Sequence, residues 1–325
     1  MMGILQTHAK MMVTVFALLF AAILADQADD LCPSTDMTSG MEPVQLVNSY
    51  LSVDGVVGVS QLCGMQYRVP VNATLYQGML AASQQQGSNF IRFTTSLHPM
   101  WGHFIESINN VSSDNPFYWI LFENTTKISS PVGVDFIDLT SESAYLWQYL
   151  NTSGGHDSNY TGPCGGPSVI APTMPLMYKV AFLTISNENT NVTAFRKPVC
   201  NRPVLIQPTD YSVFNLLQDA NMQLPIYVKA VLDMQMNTVT EINGVPNTNS
   251  RVWTGYYAGT DQRIQYNLAM TAVEDGDHFE FRFAEKSAVV VEEEDPENVG
   301  APSAGQLSVL LYAVMMLLAT VMPSM

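Results

Sequence analysis

The chain repeats itself, and a repeat constrains the fold more than any single motif, because two copies of one sequence must solve the same packing problem twice. Ile108-Asn109, inside Glu106-Ser107-Ile108-Asn109-Asn110, recurs as Ile242-Asn243 inside Thr240-Glu241-Ile242-Asn243-Gly244, a shift of 134. Trp119 returns as Trp253, Phe136 as Met270 and Leu139 as Val273 at the same shift, and Tyr145, Trp147, Tyr149 matches Phe279, Phe281, Phe283 without a gap. Upstream the shift becomes 137 or 138: Cys63 answers to Cys200, and Leu75, Met79 and Ala82 to Val213, Leu217 and Ala220. Coincidence among aromatic-rich strands is the alternative, but five kinds of landmark keep one order and one spacing. Duplication is the economical account.

The copies set the expected organisation: a leader over 1–25, a first domain over 26–150, a Gly/Pro-rich linker over 151–168 and a second domain over 169–286. An acidic stalk with an anchor site follows over 287–305, then an apolar tail over 306–325. In each copy a strand (Met65 to Val71; Val204 to Gln207) leads into an amphipathic helix (Thr74 to Gln85; Tyr211 to Ala220) whose apolar positions recur at three and four. Short aromatic and β-branched strands follow, at Phe90 to Thr95, His103 to Ile108, Phe117 to Phe122 and Ala144 to Tyr149. Alternation in the last should bury Tyr145, Trp147 and Tyr149 while Ala144, Leu146 and Gln148 point the other way. The expected class is α+β, a mixed β-sheet packed by one α-helix in each of two tandem domains.

The four cysteines, Cys32, Cys63, Cys164 and Cys200, admit three pairings. Cys32 with Cys63 and Cys164 with Cys200 closes equivalent loops in both copies, and that pairing is expected. Disulfides suit an oxidising compartment, and residues 1–25, with the apolar run Met11 to Leu24 ending on Ala25, read as a secretory signal peptide. Leu307 to Met322 is a second apolar run without flanking Lys or Arg. This fits a glycosylphosphatidylinositol anchor signal better than a single-pass helix, with Asn298 as first choice of attachment site and Ser303 as second. Six N-x-Ser/Thr acceptors, at Asn72, Asn110, Asn124, Asn151, Asn159 and Asn191, predict a glycoprotein. Sugar would supply the solubility that a charged content of only 13% does not. A net charge of -16 excludes nucleic acid as a main partner.

Gly102-His103-Phe104-Ile105-Glu106-Ser107-Ile108-Asn109-Asn110, then Tyr118-Trp119, Gly133-Val134 and an aromatic closing strand, resembles the C-terminal domain of the transcobalamin and intrinsic factor family. The second copy keeps Ile242-Asn243-Gly244, Trp253 and Glu274-Asp275-Gly276-Asp277. The resemblance runs from Gln66 to Tyr149 and from Pro203 to Phe283. It implies small grasp-like α+β domains that, in the vitamin carriers, cover one face of a corrin ring. The helical barrel that completes the carriers' binding cage has no counterpart in this sequence, and nothing in it shows whether two copies face each other to replace that half.

Tyr118, Trp119, Trp253 and Tyr256 are the candidate ligand-binding residues, as an apolar wall for a flat ligand. The alternative is that these rings fill the domain cores. Asn109, Asn110, Asn243 and Gly244 suggest hairpin turns. His98 and His103 read as surface or structural, and Asp135, Asp138, Asp275 and Asp277 as solvated turn carboxylates. No metal site and no catalytic motif is discernible, so the expected role is non-catalytic. One expectation is a cell-surface glycoprotein that binds a small hydrophobic or corrinoid ligand, cobalamin being the best candidate and the only cofactor considered. The other is an adhesion or interaction module that recognises protein or glycan.

Overall fold

The computed structural model describes residues 32, 44–54, 61–85, 91–98, 102–153, 164, 170–172, 174–186, 199–208, 211–264 and 267–286. Residues 1–25, Asn159, Asn191, Asn298, Ser303 and the stalk and tail after 286 lie outside them. Met1–Glu285 forms one compact unit; Lys286–Met325 is a second, of which only Lys286 is described.

The fold is α+β and is built twice. In the first half, β1 (Leu46–Asp54), β2 (Leu62–Pro70), α1 (Leu75–Gln85), β3 (Phe93–His98), β4 (Gly102–Ile108), β5 (Val111–Ser112), β6 (Phe117–Glu123) and β7 (Ser143–Asn151) follow in order. The second half repeats them as β8 (Lys179–Ser186), β9 (Val199–Ile206), α2 (Val213–Gln223), β10 (Ala230–Asp233), β11 (Thr238–Ile242), β12 (Val245–Pro246), β13 (Arg251–Tyr257) and β14 (His278–Glu285). The main sheets run β2-β1-β7-β6 and β9-β8-β14-β13, each with one parallel pair at its centre, and each half adds a small sheet, β3-β4-β5 or β10-β11-β12. Even the irregularities agree. The register of β1 on β2 slips between Leu51 and Val53, and that of β8 on β9 between Leu183 and Ile185.

Local chemistry explains the helix starts. Thr74 Oγ1 accepts the Gln77 N–H at 3.3 Å while Gln77 Oε1 accepts the Thr74 N–H at 2.9 Å, a reciprocal cap; Ser212 Oγ accepts the Asn215 N–H at 3.3 Å ahead of α2. Each helix lays its apolar face on its own main sheet. The first core gathers Leu51, Met65, Met79, Trp119 and Trp147, the second Leu183, Leu217, Trp253, Phe279 and Phe281. The first sheet also buries part of its opposite face: Phe122 and Leu146 pack beside the Cys63–Cys164 disulfide, so the β7 alternation separates two apolar layers rather than core from water.

The halves are joined by exchange. Cys32 bonds to Cys200 and Cys63 to Cys164, not Cys32 to Cys63 and Cys164 to Cys200. All three pairings are symmetric under exchange of the copies; equivalence of the closed loops favoured the within-copy one, whereas the bonds observed span unequal separations of 168 and 101 because each joins one half to the other. The crossing is also seen in the backbone, where Ile170 extends the edge of β2 through Gln66 N–H to Ile170 O at 2.8 Å and Ile170 N–H to Gly64 O at 3.0 Å. Val180 and Leu205 of the second half belong to the core of the first.

Candidate functional site

The repeated Ile-Asn and Trp landmarks form one hairpin lock in each half. Asn109 and Asn110 take φ of 50° and 66°, and Asn243 and Gly244 take 52° and 83°, the left-handed turn that asparagine and glycine tolerate best. Asn109 Oδ1 accepts the Arg92 N–H at 2.8 Å, and Asn243 Oδ1 accepts the Lys229 N–H at 2.8 Å, tying each turn to the strand entering the small sheet. The indole N–H of Trp119 donates to Val111 O at 2.8 Å and that of Trp253 to Val245 O at 2.7 Å. Tyr149 lies 5.2 Å from the Trp119 ring and Phe283 5.3 Å from the Trp253 ring. The same contacts are made in both halves, and these motifs hold the hairpin to the sheet.

The four aromatic candidates are therefore not brought together. Trp119 is 5% exposed and Trp253 7%, each inside its own core. Tyr118 and Tyr256 are half-buried on the opposite faces of β6 and β13, since neighbouring strand residues alternate. Tyr118 stands opposite Leu150, while the Tyr256 ring lies beneath the Arg282 guanidinium at 4.6 Å.

That second outer face carries an ion network. Arg282 donates to Glu280 at 2.7 Å and to Asp261 at 3.1 Å. Burial pushes the Glu280 carboxyl up, but hydrogen bonds from Arg282 and Ser186 outweigh it and hold Glu280 below the ordinary range; the Glu280 hydrogen bond in turn raises Arg282. These charges are satisfied by one another.

One turn carboxylate is corrected. Asp135, read as solvated, is fully buried in the 3-10 turn Val134–Phe136, where it accepts the His103 N–H and lies 2.9 Å from His103 Nδ1. Gly102, at φ +71°, lets the chain pass, because a Cβ there would fall 2.1 Å from Asp135 Oδ2. Tyr76 stacks on the His103 imidazole at 3.6 Å. Asp138 stays exposed in its turn and forms a forked pair with Arg202 of the second half, whose guanidinium also covers the Tyr227 ring at 4.4 Å. Asp275 and Asp277 stay in their turn, where they accept the Val180 and Glu274 N–H groups at 2.8 and 2.7 Å. His98 is exposed at the end of β3.

Sequence reasoning also missed a pair of glutamines. Gln85 and Gln223 hold equivalent positions, and each side-chain amide brackets the backbone of its edge strand. Gln223 does so at 2.9 and 2.6 Å on Leu205, and Gln85 accepts the Arg68 N–H at 2.8 Å. Gln77 then links the halves, donating to Pro203 O at 2.7 Å and to Gln223 Oε1 at 3.1 Å. A polar residue recurring at the end of an amphipathic helix was the available signal.

Both small-sheet hairpins expose large apolar side chains, Leu97 and Phe104 on β3–β4 and Val231, Met234 and Met236 on β10–β11, while Met270, Met177, Met222 and Ile128 are exposed elsewhere. Among the described residues no group of three or more His, Cys, Asp or Glu side chains converges to hold a metal ion, and no helix is long and apolar enough to cross a membrane. Asn72, Asn110 and Asn151 are exposed and Asn124 is half-buried.

No protein-family model and no curated protein sequence matches the chain. Among solved structures it is similar to haptocorrin in complex with Cbi, at 14% identity and a TM-score of 0.29, over 36% of this chain and 28% of that one. It is also similar to a putative metal binding protein from Ruminococcus gnavus ATCC 29149, at 9% identity and a TM-score of 0.24, over 32% of this chain and 97% of that one. The chain thus spans little more than a quarter of haptocorrin's length.

Proposed function

We propose that this protein is a non-catalytic, exported glycoprotein, held at the outer leaflet by a glycosylphosphatidylinositol anchor, that recognises a protein or glycan partner through its paired hairpins. One observation carries the reading: Trp119 and Trp253 are sealed in separate cores, whereas the corresponding hairpins β3–β4 and β10–β11 each leave large apolar side chains uncovered. Surface apolar groups repeated in both copies fit a partner that spans both. The apolar runs near either end and the acceptor asparagines support export and anchoring.

A second reading is a small hydrophobic or corrinoid ligand, cobalamin first. It is favoured by the order Gly102 to Asn110, Tyr118-Trp119 and the aromatic closing strand, and here the ligand would sit on the hairpins rather than between the tryptophans. The anchored protein and a variant carrying Leu97→Ser, Phe104→Ser, Met234→Ser and Met236→Ser separate the two. Cell or protein binding lost in the variant, with corrin absorption bands unchanged at micromolar cobalamin, supports recognition of a macromolecule. A band shift that the variant abolishes supports the corrinoid and sinks the first reading.

A further inference from the structure

The aromatic stack of the first sheet runs out of the core. Phe117 lies two residues before Trp119 on the same face of β6 and stacks on Tyr149 at 5.7 Å with the planes 18° apart. The Tyr149 hydroxyl is fixed by donation to Ser112 O at 2.9 Å. Phe117, 41% exposed, ends the stack, and its cross-strand partner is Asn151. Asn151 opens the acceptor Asn151-Thr152-Ser153. Its Oδ1 accepts the Ser153 N–H at 2.9 Å and the Ser153 hydroxyl at 2.7 Å, while Thr152 N–H and hydroxyl are both held on Pro116 O, at 2.8 and 3.0 Å. The segment is ordered around the carboxamide, and Nδ2, the atom that would bond to sugar, has no partner among the described residues.

The second half shows what this position needs. There the counterparts of Phe117 and Asn151 are Arg251 and Glu285, facing each other across β13 and β14. The Arg251 guanidinium lies over Phe283, the counterpart of Tyr149, at 5.5 Å from its centroid. The chain's own charged side chains finish that stack. The first half places an apolar ring beside an acceptor asparagine instead, whereas at Asn124 the Oδ1 is engaged by Lys127 Nζ within a half-buried turn.

We propose that Asn151 carries an N-linked glycan whose first N-acetylglucosamine lies on the exposed face of Phe117, adding one ring to the Trp119–Tyr149–Phe117 stack. The C–H groups on one face of a pyranose ring are apolar and slightly positive, complementary to an aromatic face. In the transfer, Asn151 Nδ2 bonds to the anomeric carbon of a polyisoprenyl-pyrophosphate-linked oligosaccharide. The carbon–oxygen bond to pyrophosphate breaks, and the proton lost from Nδ2 balances the departing lipid pyrophosphate. Oδ1 remains an acceptor, so the Ser153 contacts survive. The inference rests on the reading of the chain as exported.

The test is the full chain secreted from a glycosylating eukaryotic cell, with site occupancy read by mass spectrometry of glycopeptides. Asn151 should be occupied, and Ser153→Ala should empty it. Trimming with an endoglycosidase that leaves the first N-acetylglucosamine should preserve the Tm, while an amidase that removes the whole glycan should lower it by about 1–4 °C. Phe117→Leu, which keeps an apolar side chain without a ring, should cause a similar drop that amidase treatment does not deepen. An empty Asn151 beside occupied acceptors elsewhere overturns the proposal and leaves export standing; no occupied acceptor at all overturns both. Equal Tm values after trimming and complete removal, or additive losses in Phe117→Leu, show a glycan that does not touch Phe117 and overturn the docking.

Discussion

Gly78→Ala should destabilise the protein although it improves the helix. Alanine is worth about 1 kcal/mol over glycine in a helix interior. At Gly78, in α1, an added Cβ would meet Leu139 Cδ1 at 2.5 Å and Tyr67 Oη at 2.9 Å. Both side chains are fully buried and have nowhere to move. Overpacking of this kind costs about 1–3 kcal/mol, and the shorter contact puts the site near the top of that range, for a net loss of about 1–2 kcal/mol. The second half fills the same space another way, with Leu216, Val204 and Val273 at the positions of Gly78, Tyr67 and Leu139, all of them fully buried. Leu139→Val should therefore recover part of the loss, with a coupling above about 0.5 kcal/mol in the double-mutant cycle, and Leu216→Gly should cost more than about 3 kcal/mol through the cavity it opens. Urea unfolding reads this as shifts in midpoint at constant slope. A midpoint that rises in Gly78→Ala, or strict additivity with Leu139→Val, refutes the packing argument.

Digestion without reduction should yield peptides joining Cys32 to Cys200 and Cys63 to Cys164; a Cys32–Cys63 peptide refutes the crossed halves. Replacing both Cys63 and Cys164 by serine should cost about 4–5 kcal/mol, because a long loop is released in the unfolded chain. Asp219, in α2 and 6% exposed, has its carboxyl pushed by burial from 3.8 to about 6, against the Gln207 N–H that donates to it at 3.3 Å. The folded state then holds more protons than the unfolded one between those values, so stability falls as pH rises through that window. Asp219→Asn should raise stability at pH 7 by about 1–2 kcal/mol, the roughly 3 kcal/mol of the full displacement being reduced by solvent screening, and should change nothing below about pH 4. Equal effects of Asp219→Asn at both pH values, read by chemical denaturation, would contradict this. Trp119→Phe and Trp253→Phe should each cost about 1–3 kcal/mol and by similar amounts, since each leaves a hairpin carbonyl without its indole donor; a loss at one site alone breaks the equivalence of the halves.

The helices and most strands could be read from the chain because their signals are local. Apolar residues at three and four on α1 and α2, and aromatic residues at every second position on β7 and β14, mark which face is buried within one element. The central strands β1 and β8 went unread. Lying between two other strands, they bury residues on both faces, and Leu46–Asp54 and Lys179–Ser186 show no clean alternation. The landmarks of the repeat were legible as sequence, but whether Trp119 and Trp253 bind or brace depended on where the Val111 and Val245 carbonyls came to rest. The polar residues misread or overlooked, Asp135, Arg202 and Gln223, have partners 32, 64 and 18 positions away. Composition cannot distinguish such a residue from a solvated one.

By itself, then, the sequence determined a fold made twice, its class and the location of its helices, because hydrophobic periodicity and internal repetition are written residue by residue. The tertiary structure alone decided that the halves exchange their disulfides and that the paired tryptophans close hairpins in separate cores. All three pairings of the four cysteines are symmetric under exchange of the copies, and loop length along the chain points to the within-copy one; only the packing of one half against the other selects the crossed bonds.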